Sequence, residues 1–394
     1  MRGMNSASVD LIYLDPPFNS NANYAAPIGS QAAGAAFKDT WGLDDINLAW
    51  HGEIKYDNPG LYALLAATRE INGDSMMSYL IYMAIRMMEM KRLLKPTGSI
   101  YLHCDPTASH YLKLLMDAVF KEENFRNEII WCYRKWSRKS DQFPRTHDVL
   151  LFYTQCQENT FNVQYIPISE GTEKRWKGKK QGSIFIDGVR HQVATNEPAQ
   201  TPCPDWWEIS IINPNAKERV GYPTQKPLAL LDRIIRASSN EGDMVLDPFC
   251  GCATACIAAE KAEREWVGID ISPKAAELIE DRMIREAGYF FKGAHRTDIP
   301  DRTDLGTIIS YNDIRNKRYL YGEQGGYCNG CEHHFEMRNF TVDHIIAKAN
   351  GGTDHISNLQ LLCGSCNSIK GTRSHEELLV LLTDKGWIKR RKAA

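Results

Sequence analysis

The apolar positions of this chain follow two rhythms that alternate along its length. Val9 to Leu14, VDLIYL, is a short apolar run around Asp10, rich in β-forming residues, and it predicts a buried strand of a parallel sheet. The stretch SYLIYMAIRMMEMKRLLKPTGS, from Ser78, carries apolar residues at helical spacing, a basic final turn and a Pro/Gly stop. SIYLHCD then reads as a second buried strand, HYLKLLMDAVF as an amphipathic helix and VLLFYT as another strand. Between residues 155 and 222 the alternation lapses and Pro, Gly, Trp and charge collect, which predicts an insertion that carries recognition rather than sheet. The rhythm resumes with helix TQKPLALLDRIIRASS, strand MVLDPF, helix ATACIAAEKA, strand WVGIDI and helix SPKAAELIEDRMIREA. Such a succession predicts an α/β fold. A break over residues 289–310 predicts a linker, and 394 residues exceed what one core usually serves, so two domains are expected.

Composition adds few constraints. Hydrophobic residues at 43% and charged residues at 24% describe an ordinary globular chain. No apolar run reaches membrane-spanning length and MRGMNSASVD is no signal peptide, so a cytoplasmic protein without a membrane partner is expected. Eleven cysteines, an odd number, argue for free thiols and metal ligands over a disulfide framework. The net charge of −2 is small, but residues 126–182 hold 11 Lys/Arg against 6 Asp/Glu. Within them YRKWSRK and KRWKGKK interleave aromatics with cations, a pattern suited to phosphate contact and base stacking.

The strand at Val9 ends in Asp15, Pro16, Pro17 and Phe18. Two prolines fix their own φ, bias the residues before them to extended conformations and leave no amide hydrogens, so Asp15 and the nearby carbonyls sit in a rigid loop. A rigid row of acceptors followed by an aromatic ring suits a planar group that carries an amine, such as a nucleic-acid base; an ordinary strand-to-loop turn is the plain alternative. In VLDPFCGCATA a second strand ends at Asp247, a loop with Phe249 and Gly251 follows, and a helix starts near Ala253. Asp270 ends the next strand, where an acid can meet ribose hydroxyls. No G-x-G-x-x-G is present, so a nucleoside cofactor without a pyrophosphate, S-adenosylmethionine, fits better than a dinucleotide. Upstream, Thr224 lies near the start of a helix with Leu228, Leu231, Ile234 and Ile235 on one face, and Lys226 is placed to reinforce an anion site for the cofactor's carboxylate.

DPPF, YPTQKPL and DPFCGCATA, in that order, resemble the bacterial DNA amino-methyltransferases of the β arrangement, over roughly residues 9 to 287. GSIYLHCDPTASHYLKLLMDAVF and NFRNEIIW are similar to the corresponding stretches of type III modification subunits. The resemblance implies a Rossmann-like methyltransferase sheet over residues 1–288, with a target-recognition region at about 126–222, acting on a base flipped out of double-stranded DNA. It implies that Asp15 and the Pro16 carbonyl accept from the base amine, that Phe18 stacks on the ring, and that Asp247, Phe249 and Gly251 line the cofactor loop with Asp270 on the ribose. D-P-P-F favours N6-adenine, with N4-cytosine as the alternative. Two departures stand out. Ala253 and Ala255 replace a glycine and a threonine of the family loop, and a positive φ at Ala253 would cost about 1 kcal/mol or more. The family's amino-terminal G-D segment has no counterpart here, which predicts either a misassigned start or a decayed, inactive copy.

Beyond the linker, Cys328-x2-Cys331 and Cys363-x2-Cys366 form two knuckles able to complete a tetrahedral thiolate site, with structural zinc the natural occupant. Between and after them, VDHIIAKANGGTDHISNLQLLCGSCNSIK resembles the HNH nucleases, whose small ββα-metal fold holds one divalent cation against the scissile phosphate. This resemblance implies that Asp343 and Asn367 hold a magnesium-type ion, that His344 activates water and that Asn358 fixes the loop beside it. A zinc module that only binds DNA is the alternative. Residues 311–394 are thus expected to be an HNH domain with a basic tail along phosphate, and the whole chain an S-adenosylmethionine-dependent DNA methyltransferase joined to an endonuclease, a combination suited to restriction-modification.

Overall fold

In the computed structural model the described residues are 1–18, 22–25, 36–39, 50–52, 54–55, 58–135, 141–168, 170–177, 179–198, 200–287, 293–300, 302–304 and 308–388. Most of the expected basic tail, part of YRKWSRK and parts of the expected linker lie outside them.

The first strand, β1 (Val9–Leu14), is fully buried and sits near the middle of the main sheet. Helices α1 (Pro59–Asn72) and α2 (Asp74–Leu93) lead to β2 (Leu94–Cys104), and α3 (Ser109–Phe120) leads to β3 (Phe125–Cys132) and β4 (His147–Thr154). After an excursion containing hairpin strands β5 (Lys179–Ile186) and β6 (Val189–Pro198), the chain returns through β7 (Trp206–Glu208). Helix α4 (Leu228–Ser238), β8 (Met244–Asp247), α5 (Thr254–Lys261), β9 (Glu265–Gly268) and α6 (Pro273–Ala287) complete the unit. Strand order is β7-β3-β4-β2-β1-β8-β9. β1 pairs in parallel with β2 on one side and β8 on the other, while β4 runs antiparallel to both of its neighbours. Among the described residues no helix is long and apolar enough to cross a membrane.

Alternation along β1 assigns its faces. Ile12 and Leu14 pack with α1, α2 and α3, whereas Leu11 and Tyr13 pack with α4 and α5, so the strand is covered on both sides, as a parallel strand of continuous apolar character must be. Asp10 explains the one acid in that run. Its Oδ2 accepts from Lys95 Nζ at 2.7 Å and from the Met244 amide at 2.9 Å, which ties together the amino ends of β1, β2 and β8.

Three expectations change. The Pro/Gly stop after the long helix falls inside β2, because the helix ends at Leu93 and the strand begins at once. Residues 126–222 are not wholly an insertion: β3, β4 and β7 belong to the main sheet, and β7 adds in parallel to β3 at its edge. The strand in WVGIDI stops at Gly268, two residues short of Asp270.

The carboxyl-terminal unit is small. Helix α7 (Ile314–Glu323) packs on an antiparallel hairpin, β10 (Phe340–His344) and β11 (Leu359–Cys363), followed directly by α8 (Gly364–Lys370) and then α9 (His375–Asp384). This is the expected ββα order. A capping box at Ser374 and Glu377 starts α9, whose Leu378 and Leu382 reach the same core as the hairpin.

Candidate functional site

Adjacent parallel strands deliver their carboxyl ends to one edge, and β1 and β8 are adjacent. The loops that follow them, Asp15 to Phe18 and Asp247 to Cys252, line one cavity of ≈ 600 Å³, within the range of small-molecule sites. Chain topology explains the meeting: β1 continues to a parallel neighbour on one side and pairs with β8 on the other, the switch point where open α/β sheets place ligands. Thr224, Lys226 and Asp270 line the same cavity. All of the methyltransferase-half candidates named from the sequence therefore face one space.

On the β1 side, Asp15 Oδ2 takes the Lys226 ammonium, while Asp15 Oδ1 is buried with no hydrogen-bond partner. Phe18 lies stacked against the His103 ring, centroids 6.0 Å apart. His103 is itself fully buried, with Nδ1 2.9 Å from Tyr13 Oη and Nε2 3.1 Å from Asp148 Oδ2, and Tyr133 donates to the other Asp148 oxygen at 3.1 Å. Burial acts to raise the Asp148 carboxyl, but the hydrogen bond and charge of His103 outweigh it and hold the group below its ordinary value. This buried Tyr–His–Asp–Tyr chain beneath Phe18 was missed in the sequence, although a histidine inside the apolar run SIYLHC is the signal that could have found it.

On the β8 side, the loop is fixed by its own backbone. The Gly251 amide donates to Asp270 Oδ2 at 2.9 Å and the Ser272 amide to Asp270 Oδ1 at 2.8 Å, so Asp270 ties the two loops yet keeps a second lone pair on each oxygen. Gly251 has φ +49°, and a Cβ there would fall 3.0 Å from the Tyr222 ring, so a side chain would fill part of the cavity. Ala253 does adopt the left-handed conformation, with φ 58° and ψ 38°, immediately before α5. Arg282, buried on α6, donates to the Cys252 carbonyl and to Thr254 Oγ1 and so clamps the loop from behind. Burial pushes the Asp247 carboxyl up to about 8; the Phe249 amide opposes the shift, and the charges of Asp15 and Asp270 add to it.

The start of α4 differs from expectation. The helix begins at Leu228, and the Leu228 amide donates to Glu218 Oε2 at 3.1 Å. Thr224 lies four residues before it, and Lys226 turns to Asp15. Leu230, Leu231, Ile234 and Ile235 form the buried face, with Leu228 only partly buried.

In the carboxyl-terminal unit, Cys328, Cys331, Cys363 and Cys366 are all buried and their sulfurs lie within 4.8 Å of one another. Cys331 and Cys363 are 3.9 Å apart, far beyond a disulfide bond and close to the edge of about 3.8 Å that four 2.3 Å zinc–sulfur bonds define. Amides of Gly330 and Cys363 point at the Cys328 sulfur, as suits a thiolate. The donor set therefore fits zinc. Asp343 and His344 end β10, facing Lys370 of α8: Lys370 Nζ lies 3.1 Å from Asp343 Oδ2 and donates to the His344 carbonyl at 2.6 Å. Asn358 grips Ile346 through both its amide and its carbonyl, and Asn367 is half-buried on α8. Asp354, not singled out from the sequence, accepts from His344 Nε2 at 2.7 Å and from Lys348 at 2.9 Å.

Comparison with known proteins gives a consistent result. The family described as DNA methylase matches residues 9–281, and the family described as HNH endonuclease matches residues 328–373. The chain is similar to the type II methyltransferase M.HpaI of Haemophilus parainfluenzae, 26% identical over 74% of this chain and 73% of that one. It is similar to the DNA adenine methyltransferase YhdJ of Escherichia coli strain K12, 26% identical over 69% of this chain and 74% of that one. A solved DNA modification methylase from Thermus thermophilus, complexed with S-adenosyl-L-methionine, aligns with a TM-score of 0.40 and 18% identity over 75% of this chain and 95% of that one.

Proposed function

The chain belongs to the DNA methylase family, as an amino-methyltransferase of the restriction-modification type with an HNH domain, and on that premise we propose that it methylates the N6 amine of a flipped adenine in DNA and cuts DNA with its carboxyl-terminal unit. The observation that carries the methyl-transfer reading is the shared cavity at the ends of β1 and β8, where an amine acceptor and a nucleoside site face each other.

The buried, unpartnered Oδ1 of Asp15 supports its role as acceptor of one amine hydrogen, with the Pro16 carbonyl taking the other and Phe18 covering the ring. An exocyclic amine is a weak nucleophile because its lone pair is conjugated into the ring, and two acceptors aimed at its hydrogens favour the geometry in which that pair is released. Asp270 and the Gly251 cradle suit a ribose beside the loop, and the protonated form of Asp247 can donate a hydrogen bond. When bound, S-adenosylmethionine supplies a sulfonium methyl as electrophile: the N–CH3 bond forms as the S–CH3 bond breaks, and the amine loses one proton.

For the nuclease reading, both contacts to Asp343 fall on Oδ2, which leaves Oδ1 for a magnesium-type cation shared with Asn367. The ion would stabilise the leaving oxygen, and His344 would take the proton of the attacking water.

The test incubates purified protein with unmethylated plasmid while S-adenosylmethionine or magnesium is withheld in turn, followed by base analysis. N6-methyladenine only with the cofactor, and nicks only with the metal, are expected. N4-methylcytosine would move the target to cytosine, and DNA unchanged with both present would defeat the bifunctional reading.

A further inference from the structure

Lys226 sits in the stretch where a cofactor-carboxylate ligand is expected, yet its ammonium is committed elsewhere. Nζ lies 2.5 Å from Asp15 Oδ2, 3.4 Å from the Thr224 carbonyl and 5.5 Å from the centre of the Phe18 ring. Both side chains are nearly enclosed, 11% exposed for Lys226 and 13% for Asp15. We propose that Lys226 is a positioning residue of the methyl-transfer site, holding Asp15 by one oxygen so that the other faces the base amine, and that it is not a ligand of the cofactor carboxylate. This rests on the methyltransferase reading given above.

Three observations support the assignment. Asp15 ends a strand but carries two oxygens that could rotate about its side-chain bonds; a cation fixed on Oδ2 selects the rotamer in which Oδ1 is buried and without a partner. An acceptor in that state is costly unless a donor arrives, and an amine hydrogen is such a donor. The cavity is also short of positive charge around its carboxylates: Asp247, without a cation of its own, is pushed up to about 8 by burial, so a counter-charge for Asp15 has a function here that a cofactor group could not continuously supply. Finally, drawing Lys226 away to a ligand would strip Asp15 of its partner in a largely dry site, and breaking a buried pair is more costly than never forming it. The ammonium also lies near the Phe18 ring, so one side chain fixes both the acceptor and the stacking residue.

The experiment separates binding from chemistry. Lys226→Met and Lys226→Arg are compared with the unaltered full chain by S-adenosylmethionine binding without DNA, using equilibrium dialysis, and by single-turnover transfer of labelled methyl to DNA at saturating cofactor. Lys226→Met is expected to leave the cofactor Kd within about twofold and to slow transfer roughly 100-fold, as losing one oriented polar group in an active site does. Lys226→Arg, which keeps the charge, is expected to recover at least about a tenth of the rate. A Kd raised tenfold or more, or a transfer rate left unchanged, overturns the assignment. If Met at this position prevents folding, the Arg variant alone decides, because a displaced guanidinium that weakens cofactor binding without slowing transfer gives the opposite split. An unaltered chain that transfers no methyl removes the methyltransferase reading itself, and this role with it.

Discussion

At the scale of single residues the cofactor loop sets two quantitative expectations. Ala253 is fully buried and left-handed, with φ 58°. Ala253→Gly removes a backbone cost of about 1–2 kcal/mol, but it also loses a buried methyl worth about 0.8 kcal/mol and frees the unfolded chain by about 0.4–1 kcal/mol. These nearly cancel, so the stability measured by denaturation is expected to shift by less than about 1 kcal/mol either way. Ala253→Val, branched at Cβ and crowded by Cys250 and Ile257, is expected to lose about 2 kcal/mol or more. A Gly variant stabilised well beyond that range would mean that the methyl contributes no packing. Asp247 gives the second. Its folded carboxyl titrates at about 8 against 3.8 for the ordinary group, so the folded protein retains a proton that the unfolded chain has already lost. Its contribution to stability is therefore complete below pH 3.8 and declines as pH rises through about 8. A cationic ligand in the cavity favours the ionised carboxylate and expels that proton. Cofactor binding at pH 7 is thus expected to release a fraction of a proton, measured by calorimetry in buffers of different ionisation enthalpy, and Asp247→Asn should abolish the release.

At the scale of elements, the hairpin β5–β6 projects from the main sheet and pairs only with itself. Residues 174–190 contain six cations, Lys174, Arg175, Lys177, Lys179, Lys180 and Arg190, against one acid, Asp187. Its tip exposes Ile184, Phe185, Ile186 and Val189, with Phe185 at 72%. An apolar tip on a cationic stem suits DNA, where phosphates take the charge and bases take the rings. Lys177→Glu with Lys179→Glu is expected to weaken DNA binding and to lower the slope of log K against log salt by about 0.9 for each phosphate no longer neutralised. Phe185→Ala should weaken binding with that slope unchanged. Equal slopes for the charge variant and the unaltered chain would place the hairpin away from DNA. This hairpin shows what local pattern leaves out. The buried strands and amphipathic helices announced themselves through periodicity, because each is apolar on the face that packs. The hairpin does not, since it has no core to point at. Nor did periodicity show that β4 runs antiparallel or that the three residues of β7 close the sheet edge, because direction and neighbour depend on partners far along the chain. The candidate site was legible by loop: Asp15, Asp247 and Asp270 stand where strands stop. The Lys226–Asp15 pair spans 211 positions and the Tyr13–His103 contact 90, and no local window contains them.

At the scale of the whole molecule the question is how far the two units stand or fall together. Arg2 pairs with Glu323, the Asn5 and Thr303 side chains bond at 2.8 Å, the Ser6 amide donates to Asp304 at 2.7 Å, and the Trp50 ring meets Tyr319 edge-on at 6.3 Å. Most of these contacts are polar and partly exposed, a class worth about 0–1 kcal/mol each. The cores are separate: the sheet's two apolar layers share no residue with the cluster formed by Phe340, Leu361, Leu378 and their neighbours. Four of the twelve buried residues in that small cluster are the cysteines, so without the metal its centre consists of four thiols with no bond between them. Structural zinc contributes about 10–16 kcal/mol in small modules, against a total domain stability of about 5–15 kcal/mol. Metal loss is therefore expected to unfold residues 311–388 while the sheet unit survives. Treating the full chain with a strong zinc chelator should remove one calorimetric transition and abolish nicking after magnesium is restored, yet leave S-adenosylmethionine binding within about twofold. Loss of cofactor binding together with the zinc would show that the amino-terminal residues clasped by Asp304 and Glu323 carry the order of one unit into the other, and that marking and cutting reside in a single cooperative fold.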